Sequence, residues 1–130
     1  LAQDAVAAHL AGADVAVVPS VRDEAGNVDG LPNTVMEALA SGTALVATRV
    51  GGIPSVIEHG RTGWLVAERD AGALASALDG LLADPHVRAG LGSAARTDVL
   101  RRRTWEIVAE AFERVYDRAA DRAEGRRKTD

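Results

Sequence analysis

Short unbroken apolar runs alternate, in the first half of the chain, with segments whose apolar residues recur at helical spacing. Leu1, Ala5, Ala8 and Leu10 fall on one helix face, with Gly12 as a stop. Asp14-Val15-Ala16-Val17-Val18-Pro19 reads as a short strand, and its lack of polar alternation is the pattern of a strand covered on both faces. Ser20 to Leu31 is polar, contains glycine and is long for a connection; such loops tend to carry function. Pro32 to Ser41 reads as a helix with proline in its first turn and Gly42 as its breaker. Ala44 to Thr48 is a second buried strand. Gly51-Gly52-Ile53-Pro54 turns into a short helix, about Pro54 to Ile57, and Trp64-Leu65-Val66 forms a brief third strand.

From Asp70 the pattern becomes helical. Asp70 suits an N-cap, and Leu74, Leu78, Leu81 and Leu82 make one apolar stripe. Asp84-Pro85 opens a further helix carrying Val87, Leu91 and Leu100. Thr104 caps the last, whose expected buried side is Trp105, Val108, Phe112, Val115 and Tyr116. Residues 123–130 are charged, include Gly125, and read as an unstructured tail behind a single incomplete domain over residues 1–122. Strand–helix alternation places the chain in the α/β class, with a parallel sheet and helices packed on it. Ligands in such sheets bind beyond the carboxyl ends of the strands, where Ser20–Pro32 and Thr48–Pro54 are the connecting loops.

At 130 residues the chain makes one domain at most. Hydrophobic residues are 47% but aromatics only 3%, so the core is built from Ala, Val and Leu, each burying less apolar area than an aromatic ring. Modest stability in isolation is the expectation. With no cysteine, disulfides and thiolate metal sites are excluded, which fits a reducing, cytoplasmic setting. No apolar run has membrane-spanning length and no charged-then-apolar leader opens the chain. A net charge of −4 and the absence of a basic–aromatic surface argue against nucleic acid as a partner. The chain begins at Leu1, and its first residues read as the middle of a longer fold, so a fragment or one half of a split protein is expected.

The segment Asp29-Gly30-Leu31-Pro32-Asn33-Thr34-Val35-Met36-Glu37 holds the candidate chemistry. On a helical wheel Asn33, Thr34, Glu37 and Ser41 share one quarter of the circumference, with Val35, Met36, Leu39 and Ala40 opposite. An ionised Glu37 is acceptor-only and takes two hydroxyl donors, which suits a vicinal diol such as ribose. Such charge-assisted bonds contribute about 1.5–3 kcal/mol each, so loss of Glu37 should weaken binding about ten- to a hundredfold. Amides near Leu31 to Thr34 lack intrahelical partners and face an anion such as a diphosphate. Asp29, outside the helix, is placed for a hydroxyl beyond the phosphates, and Gly30 allows close backbone approach. The same acids also suit a structural role as complements of the helix dipole; the spacing alone does not separate the two readings.

The surroundings add to this. Val15-Ala16-Val17-Val18-Pro19-Ser20, Asp29-Gly30-Leu31-Pro32, Met36-Glu37-Ala38, Ser41-Gly42, Val46-Ala47-Thr48, Gly51-Gly52-Ile53-Pro54 and His59-Gly60-Arg61-Thr62-Gly63-Trp64-Leu65-Val66 follow in order. The series resembles the C-terminal domain of retaining glycosyltransferases of the GT-B fold, usually called group 1 or family 4. It is dense from Asp14 to Ala67 and looser from Asp70 onward, where Trp105 to Tyr116 resembles the family's closing helix. The resemblance implies a partial Rossmann-like parallel sheet with flanking helices, the second half of a GT-B C-terminal domain.

It further implies that the chain binds a UDP- or GDP-linked sugar through the family's E-x7-E motif. Glu37 would take the ribose hydroxyls, Asp29 would position the donor sugar, and Gly30, Leu31, Pro32, Asn33 and Thr34 would line the nucleotide-sugar site. The reaction retains anomeric configuration, with the departing phosphate assisting and no agreed enzyme nucleophile, so none is assigned. No cofactor and no metal are expected, since there is no D-x-D and no ligand-spaced cluster. Three departures stand out: Asp29 where Glu is usual, Ser55 where Glu often follows Ile-Pro, and the absence of the acceptor-binding N-terminal domain with the front of the donor domain. That part is expected to join in cis or in trans, and any membrane-surface association of the intact enzyme would come through it. Lys128 is the only lysine, and Arg22, Arg49 and Arg61 are the basic residues up to Ala67. The chain alone is therefore expected to be inactive.

His9, His59 and His86 are isolated and read as surface or turn residues, and Arg101-Arg102-Arg103 as a cationic helix end. No G-x-G-x-x-G follows a strand and no P-loop is present. The alternative is a non-catalytic nucleotide- or partner-binding module completed by a separate chain.

Overall fold

The computed structural model describes residues 3–28 and 30–127. Three parallel strands, β1 (Ala16–Val18), β2 (Leu45–Thr48) and β3 (Trp64–Val66), form a sheet in chain order. Val17 pairs with Val46 and Ala47 with Leu65. The helices are α1 (Gln3–Gly12), α2 (Asn33–Ser41), α3 (Ala71–Ala83), α4 (Pro85–Arg102) and α5 (Trp105–Arg127). One unit runs up to Val99 and a second begins at Leu100.

Period-two alternation along β2 divides the core of the first unit. Leu45 and Ala47 lie with Val35, Ala38 and Leu39 of α2, while Val46 lies with Ala77 and Leu81 of α3 and Leu91 of α4. All four β2 residues are buried, as the unbroken run predicts for a central strand. In β1 only Ala16 and Val18 are buried, and Val17 is exposed. The expectation of two covered faces fails there because β1 is an edge strand, and α3 packs on β2 and β3.

Helix ends follow the expected chemistry. The Asp70 carboxylate accepts from the Ala73 amide at 2.8 Å, and Asp84 accepts from His86 and Val87 at 2.9 and 3.1 Å. Gly42 ends α2 in the left-handed conformation, φ 75°, with its N–H on Ala38 and Leu39 carbonyls. The short helix after Gly52 is a 3-10 turn over Ile53–Ser55, one residue earlier than expected. Leu82, Val87 and Leu100 are exposed, and α4 packs through Leu91, Gly92, Ala95 and Val99. The small residues matter: Gly92 lies directly against the Gly42 carbonyl, where a Cβ would overlap it.

In the second unit none of residues 100–122 is buried. Trp105 is 86% exposed, and Val108, Phe112, Val115 and Tyr116 are exposed as well, so the side that helical spacing marks for burial is an open apolar patch. A helical apolar stripe marks the face that burial would use and carries no information on whether a surface covers it. The helix itself is supported locally by the Thr104 hydroxyl at its start and a Glu110–Arg114 ion pair at 3.7 Å. It continues through Arg127, so helix occupies the start of the segment read as an unstructured tail.

Candidate functional site

The connection from β1 to α2 is held by residues from the carboxyl ends of the other two strands. The Thr48 hydroxyl donates to the Ser20 carbonyl at 2.5 Å. The Arg22 amide donates to Glu68 Oε2 at 2.7 Å, and Arg69 Nη2 donates to the Arg22 carbonyl at 2.6 Å. At the tip, the Asp23 carboxylate accepts from the Asn27 amide at 2.7 Å and from Asn27 Nδ2 at 3.0 Å. These bonds, the Asn27 side chain foremost, hold the Asp23 carboxyl below the usual aspartate range. Where the loop returns, the Gly52 N–H donates to the Gly30 carbonyl.

This delivers the chain to α2. Pro32 stands at the N-cap with extended backbone (φ −61°, ψ 133°) and no side-chain cap, and its carbonyl accepts the Val35 amide at 3.0 Å. No hydrogen bond among the described residues reaches the amides of Asn33 and Thr34, which point out of the positive end of the helix. Leu31, Asn33 and Thr34 are exposed and Pro32 is half-buried. One turn further, half-buried Glu37 lines a cleft of about 280 Å3 with Asp4, Val6 and Ala7 of α1 and Ala40 and Ser41 of α2. Among the described residues its charged groups are two carboxylates, so the cleft suits hydroxyl donors and the helix end suits an anion.

The structure thus joins Leu31, Pro32, Asn33, Thr34 and Glu37 along one helix end. Asp29 lies outside the described residues. Backbone meets backbone at Gly52, where a Cβ would lie 2.7 Å from the Gly30 oxygen, while a Cβ at Gly30 meets no atom of the protein within 4 Å. Ala40, assigned to the apolar side, is exposed and Ala38 is buried, because at about 100° per residue Ala40 falls within about 20° of Asn33 on the polar side while Ala38 falls toward Val35 and Leu39.

Asp4 was not legible as a neighbour of Glu37. Its only signal is an acid in a first turn, and the meeting depends on how α1 packs on α2. Ser55, where a glutamate is usual, supports its turn through a hydroxyl bond to the Gly52 carbonyl at 2.6 Å. Arg61 pairs with Glu58 at 2.6 Å and Asp98 at 3.6 Å, and the Glu58 hydrogen bond raises its pKa. His59 accepts the Leu65 amide at 2.9 Å, a turn contact as expected. Among the described residues, no three His, Cys, Asp or Glu side chains gather to hold a metal ion, and no helix is long and apolar enough to cross a membrane.

A parallel half-sheet whose strand-end loops converge on a free helix N-terminus is the architecture of a ligand-binding α/β domain. The family model described as "Glycosyl transferases group 1" matches residues 1–84, and the chain belongs to that family. It is 41% identical over 109 residues to D-inositol 3-phosphate glycosyltransferase 2 of Catenulispora acidiphila, covering 84% of this chain and 24% of that protein. It is 35% identical over 114 residues to the N-acetyl-alpha-D-glucosaminyl L-malate synthase of Bacillus anthracis, covering 88% of this chain and 28% of that protein. The chain therefore spans about a quarter of the length of these relatives.

Among solved structures, the sucrose-phosphate synthase of Thermosynechococcus elongatus superposes with a TM-score of 0.79 at 32% identity, over 91% of this chain and 28% of that one. The C-terminal domain of a glycosyl transferase group 1 family protein from Francisella tularensis gives 0.61 at 25% identity, over 71% and 44%. The fold is that of part of a GT-B glycosyltransferase C-terminal domain.

Proposed function

We propose that this chain is the donor-binding part of a retaining, family 4 glycosyltransferase that passes a sugar from a nucleoside diphosphate to an acceptor hydroxyl. The placement of Glu37 carries the reading: it is half-buried in a cleft one turn inside α2, on the helix whose Asn33 and Thr34 amides have no partner among the described residues. In this arrangement the Glu37 carboxylate accepts from the ribose hydroxyls. The amides of Leu31, Asn33 and Thr34 and the helix dipole meet the diphosphate, Gly30 and Pro32 shape the approach, and Asp29 positions the donor sugar. The reading includes no metal and assigns no enzyme nucleophile. The relatives' names, a glycosyltransferase and a glucosaminyl-malate synthase, support the reaction class and differ in substrate.

By itself the chain holds the donor weakly and does not turn it over. Of the three arginines up to Ala67, Arg61 is engaged by Glu58 and Asp98, which leaves little cationic charge beside the helix amides to activate the leaving group. Titration of the labelled chain with UDP, GDP and ADP, read by amide NMR, tests the reading. Shifts concentrated at the amides of Gly30, Leu31, Asn33, Thr34 and Glu37, saturating at about high-micromolar to millimolar concentration, are expected. Shifts confined to other elements, or none from a folded chain, contradict it.

A further inference from the structure

We infer that Glu68 and Arg69, at the end of β3, are positioning residues that fasten the β1–α2 loop in its nucleotide-binding conformation; the inference rests on the donor-site reading above. Residues 21–27 of this loop are all exposed, so packing does little to restrict them, and an unrestrained loop of this length loses considerable conformational entropy on ordering. Its two ends are secured by Thr48 on Ser20 and Gly52 on Gly30. Between them, Asp23 and Asn27 close the tip on itself and Val28 packs on the core, and Arg22 is the residue whose backbone the end of β3 grips on both sides. Its N–H donates to Glu68 Oε2 at 2.7 Å and its carbonyl accepts from Arg69 Nη2 at 2.6 Å. The base of the grip is rigid: β3 pairs with β2, the Val66 carbonyl accepts the Arg49 amide at 2.8 Å, and Asp70 caps α3.

Arg69 adopts a left-handed backbone, φ 61°, and is the only non-glycine residue among those described with a positive φ. An L-residue with a side chain is disfavoured there and glycine is not. Glycine at this position would relax the backbone and remove the guanidinium that holds Arg22. The two consequences have opposite signs, which separates positioning from plain stabilisation.

The test compares the chain with Arg69→Gly, Glu68→Ala and Glu68→Gln, reading thermal midpoint, amide exchange without ligand, and UDP affinity. Arg69→Gly is expected to keep or raise the midpoint while exchange over residues 22–28 speeds up about three- to tenfold and UDP binding weakens by a similar factor, one hydrogen bond's worth. Glu68→Ala should do the same to exchange and binding. Glu68→Gln keeps an acceptor and should stay within about twofold of the original. Unchanged loop exchange in Arg69→Gly and Glu68→Ala overturns the inference, as does faster exchange with undiminished UDP affinity. Faster exchange in a chain that binds no UDP, GDP or ADP in its original form upholds the fastening and refutes the donor-site reading.

Discussion

Gly52 and Gly30, from different loops, meet backbone to backbone. The Gly52 amide donates to the Gly30 carbonyl, and a Cβ on Gly52 would lie 2.7 Å from that oxygen and 3.1 Å from Leu31 Cβ. A side chain there must push the loop entering α2 away from its place. Gly52→Ala should cost about 1–3 kcal/mol and weaken UDP binding, whereas Gly30→Ala, with open space at its Cβ, should stay within about 0.5 kcal/mol. Urea denaturation of the two variants checks the contrast; equal losses would remove the role given to the contact.

Gly92 and Gly42 make the second backbone contact of this kind, where α4 passes the end of α2. A Cβ on Gly92 would overlap the Gly42 carbonyl, and backbone cannot yield as a flexible side chain does. Gly92→Ala should destabilise the first unit by about 3 kcal/mol, at the upper end of overpacking costs. A thermal melt measures this, and a change below about 0.5 kcal/mol would contradict the contact.

The Asp23–Asn27 turn has a defined pH response. Hydrogen bonds from Asn27 depress the folded-state pKa of Asp23, so the unfolded chain takes up the proton first as pH falls. The turn's contribution is fully present above the ordinary aspartate range and is lost as pH falls through the depressed value. Carboxyl-carbon NMR should place the Asp23 midpoint below that of an unstructured aspartate. Asn27→Ala should move it up while the residue 27 amide still donates; an unmoved midpoint would contradict the assignment.

Much of the first unit is legible in the sequence because each element has a local cause. The apolar runs at residues 15–18 and 44–48, the Asp70 and Asp84 caps and the Gly42 breaker locate strands and helix ends without reference to neighbours. Long-range relationships were not legible. Exposure of Val17 depends on where α3 lies, the cleft shared by Glu37 and Asp4 depends on α1 against α2, and the grip of Glu68 and Arg69 on Arg22 spans 46 and 47 residues. A glycine pair announces freedom of backbone, but only the folded loops show that Gly52 needs it for contact with Gly30. The exposed stripe of α5 fails for the same reason: periodicity specifies a face, not its partner.

The most direct measurement is a calorimetric titration of the chain and of Glu37→Ala with UDP, GDP and ADP, with circular dichroism showing both folded. A half-buried carboxylate that accepts ribose hydroxyls predicts weak binding of at least one nucleotide and a loss of about ten- to a hundredfold in Glu37→Ala. Equal affinity of the two folded proteins, or no binding by either, would contradict a donor site at this helix.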